Sequence, residues 1–257
     1  PCVRLSNCLA LKATSCSSCC LKMSSSKTEC QFAVRFKGKS ALVCGAGGGI
    51  GLATARKLHA DGYSLSLGAR RADALKAAIA DFADDRVMSH HFDAQDRKSA
   101  AAWVDATAEH FGRIDGVVNN AGILHLHEID EFDEDRLQES FEINVVAPYR
   151  LTVAALPHLR KTGAGRVVNI NSRSGLRYVN GSMDYCITKH AAMALSQGTW
   201  RECWEDGIRS TAICPGPTNT DMAEGRPDRD RLTDPETIAG LVSMVLSLPN
   251  AASVPVL

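Results

Sequence analysis

The sequence lacks an excess of charge of either sign, since its 257 residues include 29 basic and 29 acidic side chains. A balanced chain gives no electrostatic reason to expect a nucleic acid or a strongly acidic partner. It also lacks any apolar run near the roughly 18 residues of a membrane-spanning helix, so we expect a soluble chain with no membrane span. Hydrophobic residues make up 45% of the sequence, which suffices for a packed core and excludes a disordered chain.

Acidic residues are absent from the first 28 positions, which carry four basic side chains and many serines. A basic, serine-rich, acid-free segment is typical of an organellar transit peptide. The alternatives are upstream sequence joined to a natural start at Met23, or a disordered tail. We therefore predict a leader or tail over residues 1–36 and one catalytic domain over residues 37–257.

The cysteines do not indicate a disulfide-stapled fold. Six of the ten lie within the first 30 residues, and the other four are scattered singly, as ordinary buried thiols are. This distribution favours a reducing compartment, so we expect a cytoplasmic protein, or an organellar one if the leader is a transit peptide. Cys16 and Cys19 have the spacing of half a zinc site, but no second pair follows, and we predict no metal site.

From Lys39 onward, short apolar runs alternate with helical patterns. This alternation predicts an α/β fold in a single domain, with a doubly wound parallel sheet and helices on both faces. We expect one long helix over residues 134–160, despite Pro148 and Pro157. Strands are expected at 41–44, 63–67, 87–92, 114–118, 166–170 and 208–213, and the other helices at 50–60, 72–82, 98–111, 184–205 and 235–248.

The first predicted strand ends in a glycine-rich turn that opens directly into a helix. Gly45, Gly49 and Gly51 have the spacing Gly-x-x-x-Gly-x-Gly. Glycines let the backbone come close to a pyrophosphate, and a helix N-terminus supplies free N–H groups and a positive dipole. The position of the turn after the first strand therefore favours a dinucleotide site over a merely flexible loop.

Tyr185 and Lys189 lie four residues apart, so they share one face of a predicted helix, and Ser172 precedes the tyrosine by thirteen positions. A free tyrosine exchanges protons poorly at neutral pH, and a nearby cation favours its phenolate form. The pair is therefore a candidate acid/base. Since Tyr-x-x-x-Lys is frequent by chance on helices, its weight comes from the motifs that precede it.

Taken in order, these motifs resemble those of the short-chain dehydrogenases/reductases, over residues 39 to about 248. The resemblance implies a Rossmann-type fold and an oxidoreductase. The positions that match the family pattern are Gly45, Gly49, Ile50, Gly51, Asp93, Asn120, Ala121, Gly122, Asn144, Ser172, Tyr185, Lys189, Pro215, Gly216 and Thr220.

The resemblance also implies roles. Tyr185 would give a proton to the substrate carbonyl oxygen in reduction, or take it in oxidation. Lys189 would hold the nicotinamide ribose, and Ser172 would hydrogen-bond the reacting oxygen. Asn144 would position a water that links Lys189 to solvent. Ser174 is a competing candidate for the serine, although the family spacing favours Ser172. The other matching positions would contact the cofactor.

Cofactor choice follows from the end of the second strand, where enzymes that use NAD place an acid. This chain has Arg70 and Arg71 there and no acid. A 2′-phosphate would accept charge-assisted hydrogen bonds from such a cation, and the resemblance points to Arg70. We therefore expect NADP rather than NAD, with a hydride transferred between NADP(H) and a carbonyl compound or secondary alcohol.

Substrate specificity is expected from two loops, residues 176–183 and 218–233. Arg226, Arg229 and Arg231 of the second loop could bind an anionic substrate, but the acids between them favour a solvated loop. The substrate itself is not identified beyond a small carbonyl compound or alcohol.

The last residues depart from the family pattern, because relatives usually continue into a final strand. We expect this strand to be short or missing, which bears on whether the chain forms the homo-dimer or homo-tetramer common among similar proteins. Two alternatives to an active reductase stay open. One is a non-catalytic NADP(H)-binding regulatory protein, and the other is a truncated isoform with impaired folding.

Overall fold

The computed structural model describes residue 36 and residues 38–82, 84–179 and 181–257. These residues form one parallel sheet of six strands in the order β3-β2-β1-β4-β5-β6. The predicted doubly wound α/β fold is confirmed. The strands are β1 (Ser40–Cys44), β2 (Ser64–Ala69), β3 (Val87–His91), β4 (Gly116–Asn119), β5 (Arg166–Ile170) and β6 (Arg209–Ile213).

Helices cover both faces of the sheet, so the central strands are buried on both sides and read as continuous apolar runs. In β1, Val43 packs into the cluster that holds α1 and α7, while Leu42 packs into the cluster that holds α3 and α5. The helices are α1 (Gly49–Ala60), α2 (Ala72–Ala78), α3 (Ser99–Phe111), α4 (Glu134–Phe141), α5 (Ala147–Thr162), α6 (Met183–Glu202) and α7 (Pro235–Ser247).

The predicted leader lies outside the described residues, except for its last position. The ring of Phe36 is buried in the core and stacks on Tyr63, with ring centroids 4.8 Å apart. The candidate half zinc site at Cys16 and Cys19 also lies outside the described residues. Within the described part of the chain, no helix combines the length and the apolarity needed to cross a membrane.

The helix predicted over residues 72–82 is shorter, and it ends at Ala78. Arg56 donates a hydrogen bond to the carbonyl oxygen of Ala78 at 2.9 Å, which satisfies an acceptor at the helix end. The chain then turns so that Phe82 is buried and stacks on His59, with centroids 4.7 Å apart. A tertiary contact therefore overrides the local helical pattern.

The long helix predicted over residues 134–160 is interrupted by a π-helical turn, Glu142–Val146, between α4 and α5. Pro148 explains why an α-helical ladder is not maintained here. It has no N–H to donate to the carbonyl of Asn144, four residues earlier. π-Turns of this kind are frequent at functional sites.

The final strand is short among the described residues. Ala212 of β6 donates to the carbonyl of Pro255 and accepts from the N–H of Leu257, each at 2.9 Å. Cys214 donates to the carbonyl of Leu257 at 2.8 Å. These bonds form one parallel bridge between Ala212 and Val256, which covers part of the edge of β6.

A chain of buried amides and hydroxyls crosses β4, β5 and β6 beneath the site described below. Asn119 donates to Thr152 at 3.0 Å and to Asn169 at 2.8 Å, and Asn169 donates to Ser210 at 3.2 Å. Ser210 contacts Ser196 of α6 at 3.1 Å. Helix α6 is therefore seated on the sheet partly through paired polar groups, which fix its position along the strands.

Gly68 of β2 leaves the space that a tryptophan fills. A Cβ at this position would lie 2.6 Å from the indole of Trp103, which is fully buried and bonds Ser66 through Nε1. We expect Gly68→Ala to destabilise the protein by about 1–3 kcal/mol, because the core has no room for the methyl group. Urea unfolding followed by circular dichroism measures this change.

Gly240→Ala is the matched control, because a Cβ at this interior position of α7 would meet nothing within 4 Å. We expect it to stabilise the helix by about 0.5–1 kcal/mol. Equal effects of the two substitutions would contradict the packing described here.

Candidate active site

A cavity of about 530 Å³ opens at the carboxyl ends of β1, β4, β5 and β6. Its size is within the usual range for small-molecule sites, and its position at the strand ends is where ligands bind in open α/β sheets. Residues singled out by the sequence make up about half of its lining: Gly45, Gly49, Ile50, Asn120, Ala121, Gly122, Ser172, Tyr185, Lys189, Pro215, Gly216 and Thr220. Gly51, Arg70, Asp93 and Asn144 do not line it.

Gly51 lies behind the glycine turn. A Cβ there would clash with the carbonyl oxygen of Gly45 and lie 2.6 Å from Nδ2 of Asn120. That same amide donates to the carbonyls of Cys44 and Gly45, at 3.1 and 3.2 Å. Gly51 therefore lets the first turn of α1 pack on the end of β1, and Asn120 fastens the turn to β4.

The first turn of α1 presents uncapped N–H groups to the cavity. Its N-cap is Gly48, which has no side chain to accept a bond, and the turn contains no acid. Gly48, Gly49 and Ile50 all line the cavity. Helix N-terminal N–H groups lack intrahelical partners and favour an anion, so these residues fit the pyrophosphate of a dinucleotide. Thr220 packs over the turn, since a Cβ at Gly49 would lie 3.0 Å from its methyl group.

Tyr185 and Lys189 meet on the buried face of α6. Nζ of Lys189 lies 5.4 Å from the centroid of the Tyr185 ring and donates to the carbonyl of Ile170 at 3.1 Å. Both side chains are buried but line the cavity. Gly122 approaches closely, since a Cβ there would lie 3.6 Å from Nζ of Lys189. The structure thus brings a phenol, an ammonium and the loop after β4 together.

Asn144 lies in the π-turn, behind the cavity wall, and its side chain joins two segments. Its Oδ1 accepts from the N–H of Ile123 at 2.8 Å, and its Nδ2 donates to the carbonyl of Ile123 at 3.0 Å. Nδ2 also donates to Oγ1 of Thr188 in α6 at 3.1 Å. The amide therefore holds the loop after β4 against the helix that carries Tyr185.

Ser172 follows β5 and caps a short 3₁₀ helix, Arg173–Gly175, by accepting from the N–H of Ser174 at 3.1 Å. A hydroxyl can donate as well as accept, and among the described residues that of Ser172 accepts this bond and donates none, so its hydrogen can go to a ligand. Ser174 also lines the cavity but is buried, and its carbonyl accepts from the thiol of Cys186 at 3.3 Å. Ser172 is the less buried of the two competing serines.

Arg70 and Asp93 lie along the same edge of the sheet, beyond the cavity. Arg70 is the exposed first residue after β2, and Arg71 beside it is also exposed. Asp93 follows β3, and its Oδ1 accepts from the N–H of Gln95 at 3.0 Å. The glycine turn reaches toward this region, because a Cβ at Gly47 would touch Ala69 at the end of β2.

The sequence reading missed the amide of Asn171, which lines the cavity just before Ser172. It is buried, and neither of its polar side-chain atoms has a partner within the described part of the chain. It lies over Gly175, where a Cβ would be 2.8 Å from Oδ1 of Asn171. In the sequence, the one signal for this residue was a polar side chain directly after the end of β5.

The sequence reading also missed a buried network of charged side chains around Asp184, the residue directly before Tyr185. Asp184 contacts Nε2 of His127 at 3.3 Å and Nε of Arg136 at 3.1 Å, and both Asp184 and His127 are almost fully buried. Ser182, the N-cap of α6, donates instead to the carbonyl of His125 at 2.6 Å. The loop after β4 and helix α4 are thereby tied to the first turn of α6.

The four cysteines of the described residues are suited to packing rather than to nucleophilic chemistry. Burial raises the pKa of the Cys44 thiol to about 12, and it raises the pKa values of Cys186, Cys203 and Cys214 as well. The thiolate forms are therefore disfavoured at neutral pH. Among the described residues, no three His, Cys, Asp or Glu side chains form a group that could hold a metal ion.

Comparison with known proteins gives a consistent picture. A family model described as short chain dehydrogenase matches residues 39–231. Agropine synthesis reductase of Rhizobium rhizogenes is 42% identical over 219 residues, which are 83% of this chain and 50% of that protein. The chain thus spans about half the length of that relative. Meso-2,3-butanediol dehydrogenase of Serratia marcescens is 31% identical over 87% of this chain and 94% of its own length.

Solved structures include the alcohol dehydrogenase of the archaeon Thermococcus sibiricus complexed with 5-hydroxy-NADP. It superposes with a TM-score of 0.79 and 31% identity, over 85% of this chain and 94% of that one. This similarity supports the Rossmann-type α/β fold of the chain.

The contribution of the buried Asp184 network can be tested by measuring the free energy of unfolding of variants. We expect Asp184→Asn to lower the free energy of unfolding by about 1–3 kcal/mol, because His127 and Arg136 lose a charged acceptor in a buried site. Asp81→Asn is the control: its ion pair with Arg56 is exposed and screened, so unfolding should change little. Urea denaturation of both variants measures the difference, and equal losses would show that burial of the Asp184 network does not matter.

Proposed function

The chain belongs to the short chain dehydrogenase family of oxidoreductases, and on that premise we propose that it transfers a hydride between NADP(H) and a carbonyl compound or secondary alcohol. The observation that carries the proposal is the convergence of Ser172, Tyr185 and Lys189 on one cavity with the uncapped first turn of α1. A regulatory protein that only bound a dinucleotide would have no use for the first two.

In the proposed reaction, NADPH when bound supplies a hydride to the carbonyl carbon. The hydroxyl of Tyr185 donates a proton to the carbonyl oxygen, which becomes the alcohol, and oxidation reverses both transfers. Ser172 donates a hydrogen bond to the same oxygen and stabilises the negative charge that develops on it. Lys189 holds the nicotinamide ribose, and its anchor on the carbonyl of Ile170 keeps the ammonium beside Tyr185.

Asn144 is proposed to position a water that relays protons between Lys189 and solvent. Its side chain is already committed to Ile123 and Thr188. The main-chain carbonyl is therefore the better candidate for holding the water, because Pro148 offers it no α-helical N–H. In this arrangement the amide positions the loop and the carbonyl serves the relay.

For the cofactor we propose the glycine turn with Gly45, Gly49, Ile50 and Gly51 as the pyrophosphate site. Arg70 is proposed to bind the 2′-phosphate and Asp93 the adenine. The guanidinium of Arg70 is exposed directly after β2, and no acid stands at the end of that strand. Both features support NADP over NAD. Further contacts are proposed from the residues that line the nicotinamide side: Asn120, Ala121, Gly122, Pro215, Gly216 and Thr220.

We further propose that the protein forms a homo-dimer or homo-tetramer. We also propose that it is cytoplasmic. Tyr149 and Val153 support self-association, since they lie one turn apart on α5 and are 56% and 51% exposed. Two large apolar side chains on one exposed helical face are more typical of an interface than of a solvated surface.

Tyr185→Phe removes the proposed proton donor and keeps the ring. We expect kcat/KM for carbonyl reduction to fall at least about 100-fold, because general acid catalysis contributes roughly that much or more. Affinity for NADPH should change less than about threefold, since the fold and Lys189 are intact. Absorbance at 340 nm follows turnover, and cofactor fluorescence measures binding.

Tyr149→Phe is the control, because Tyr149 is exposed on α5 and does not line the cavity, and the substitution keeps its apolar ring. It should retain full activity. A Tyr185→Phe variant that keeps most of its activity would contradict the mechanism, and wild-type protein that binds NADPH without any turnover would favour the regulatory alternative.

Arg70→Ala tests the cofactor assignment. We expect the dissociation constant of NADPH to rise about 10- to 100-fold, the range for one hydrogen bond to a charged group, and that of NADH to change little. Arg71→Ala is the matched control from the adjacent exposed position. Equal losses for the two cofactors would remove the basis for NADP.

A further inference from the structure

Arg173 is an exposed residue of the cavity wall, and its main chain is fixed by hydrogen bonds. It follows Ser172 directly, and its N–H donates to the carbonyl of Pro215 at 3.1 Å. Its own carbonyl accepts from the N–H groups of Leu176 and Arg177, at 3.0 and 3.1 Å. The residue is therefore fixed between the ends of β5 and β6, beside the proposed hydrogen-bond donor to the reacting oxygen.

The side chain of Arg173 lies across Gly216, and both residues line the cavity. A Cβ at Gly216 would lie 3.4 Å from Nε and 3.5 Å from Cζ of Arg173. The missing side chain thus lets the guanidinium rest against the main chain after β6. A guanidinium presents a planar fork of donors, which is suited to a carboxylate or a phosphate group.

Among the described residues, no carboxylate lies within ion-pair distance of Arg173. The second guanidinium of the cavity wall differs in this respect, because Arg226 is paired with Asp228 through two bonds of 2.9 Å. Arg173 is therefore an exposed cation beside Ser172 whose charge no acid of the described residues pairs with.

The acid that lines the cavity, Asp221, lies toward the opposite end. Its Oδ2 would be 3.8 Å from a Cβ at Gly48, in the glycine turn. Charge is thus distributed along the cavity, with Asp221 at the proposed pyrophosphate turn and Arg173 at the end where the substrate would react. An anion near Arg173 would be attracted by that guanidinium and by Lys189.

We infer that Arg173 binds an anionic group of the substrate, so that the enzyme acts on carbonyl compounds or alcohols that also carry a carboxylate or a phosphate. The inference rests on the proposed function, because it names the substrate class of the same site. It assigns the anion to a different residue from the arginines of the loop over residues 218–233, which the sequence offered as possible anion ligands although the acids between them favour a solvated loop. Of those, Arg226 is paired with Asp228, and Arg229 donates to Asn219 at 3.0 Å.

The test compares matched substrates with NADPH as reductant. One pair is 4-oxopentanoate with its methyl ester, and the other is dihydroxyacetone phosphate with dihydroxyacetone. We expect kcat/KM for the charged member of at least one pair to exceed that of its neutral partner by about 10- to 100-fold, the contribution of one hydrogen bond between charged groups. Which pair shows the preference distinguishes a carboxylate from a phosphate.

In Arg173→Gln this charged-to-neutral ratio should fall to near one, whereas Arg173→Lys should keep part of it because the charge remains. Arg201→Gln is the control: it removes an exposed arginine of α6 that lies outside both expected substrate loops and does not line the cavity, and the ratio should persist. NADPH affinity and thermal melting of each variant verify folding.

Three outcomes would overturn the inference. Wild-type protein that reduces neutral and charged members equally well contradicts it while leaving the proposed function standing. A ratio that survives in Arg173→Gln assigns the anion to another residue. Reduction of none of the four compounds, with NADPH bound, contradicts the proposed function for this substrate class, and the inference falls with it.

Discussion

The amide of Asn144 is the contact on which the rest of the site depends. This side chain is 2% exposed, and it hydrogen-bonds the N–H and the carbonyl of Ile123 and the hydroxyl of Thr188. The loop after β4 and the helix that carries Tyr185 and Lys189 would otherwise be two independent surfaces. A buried amide with both its donors and its oxygen hydrogen-bonded is costly to disturb, so it couples the position of the loop to that of the helix.

Around this contact the protein arranges two kinds of support. Under the site, the amides of Asn119 and Asn169 pair across neighbouring strands and fix α6 along the sheet. Beside the site, Asp184 ties the first turn of α6 to His127 and Arg136. Buried polar contacts give less net stability than apolar packing, but they define one geometry more sharply.

The features that could be predicted from the sequence are those that a short local spacing determines. The glycine turn and the pair Tyr185 and Lys189 depend only on residues a few positions apart, and the strand and helix pattern gave the sheet. The end of α2 depends on Arg56, more than twenty residues earlier, and the pairing of Arg136 with Asp184 spans 48 residues. Such contacts depend on tertiary packing, so no local pattern indicates them.

The π-turn between α4 and α5 has a consequence for how this chain tolerates changes of length. A π-turn closes with i→i+5 bonds and so holds one residue more than an α-helical turn. Deleting one residue from Glu142–Val146 would let this segment close as an ordinary α-helical turn and would change where the side chain of Asn144 lies relative to Ile123 and Thr188. In this segment the number of residues is therefore constrained together with their identity, although the deletion alters no residue of the cavity wall.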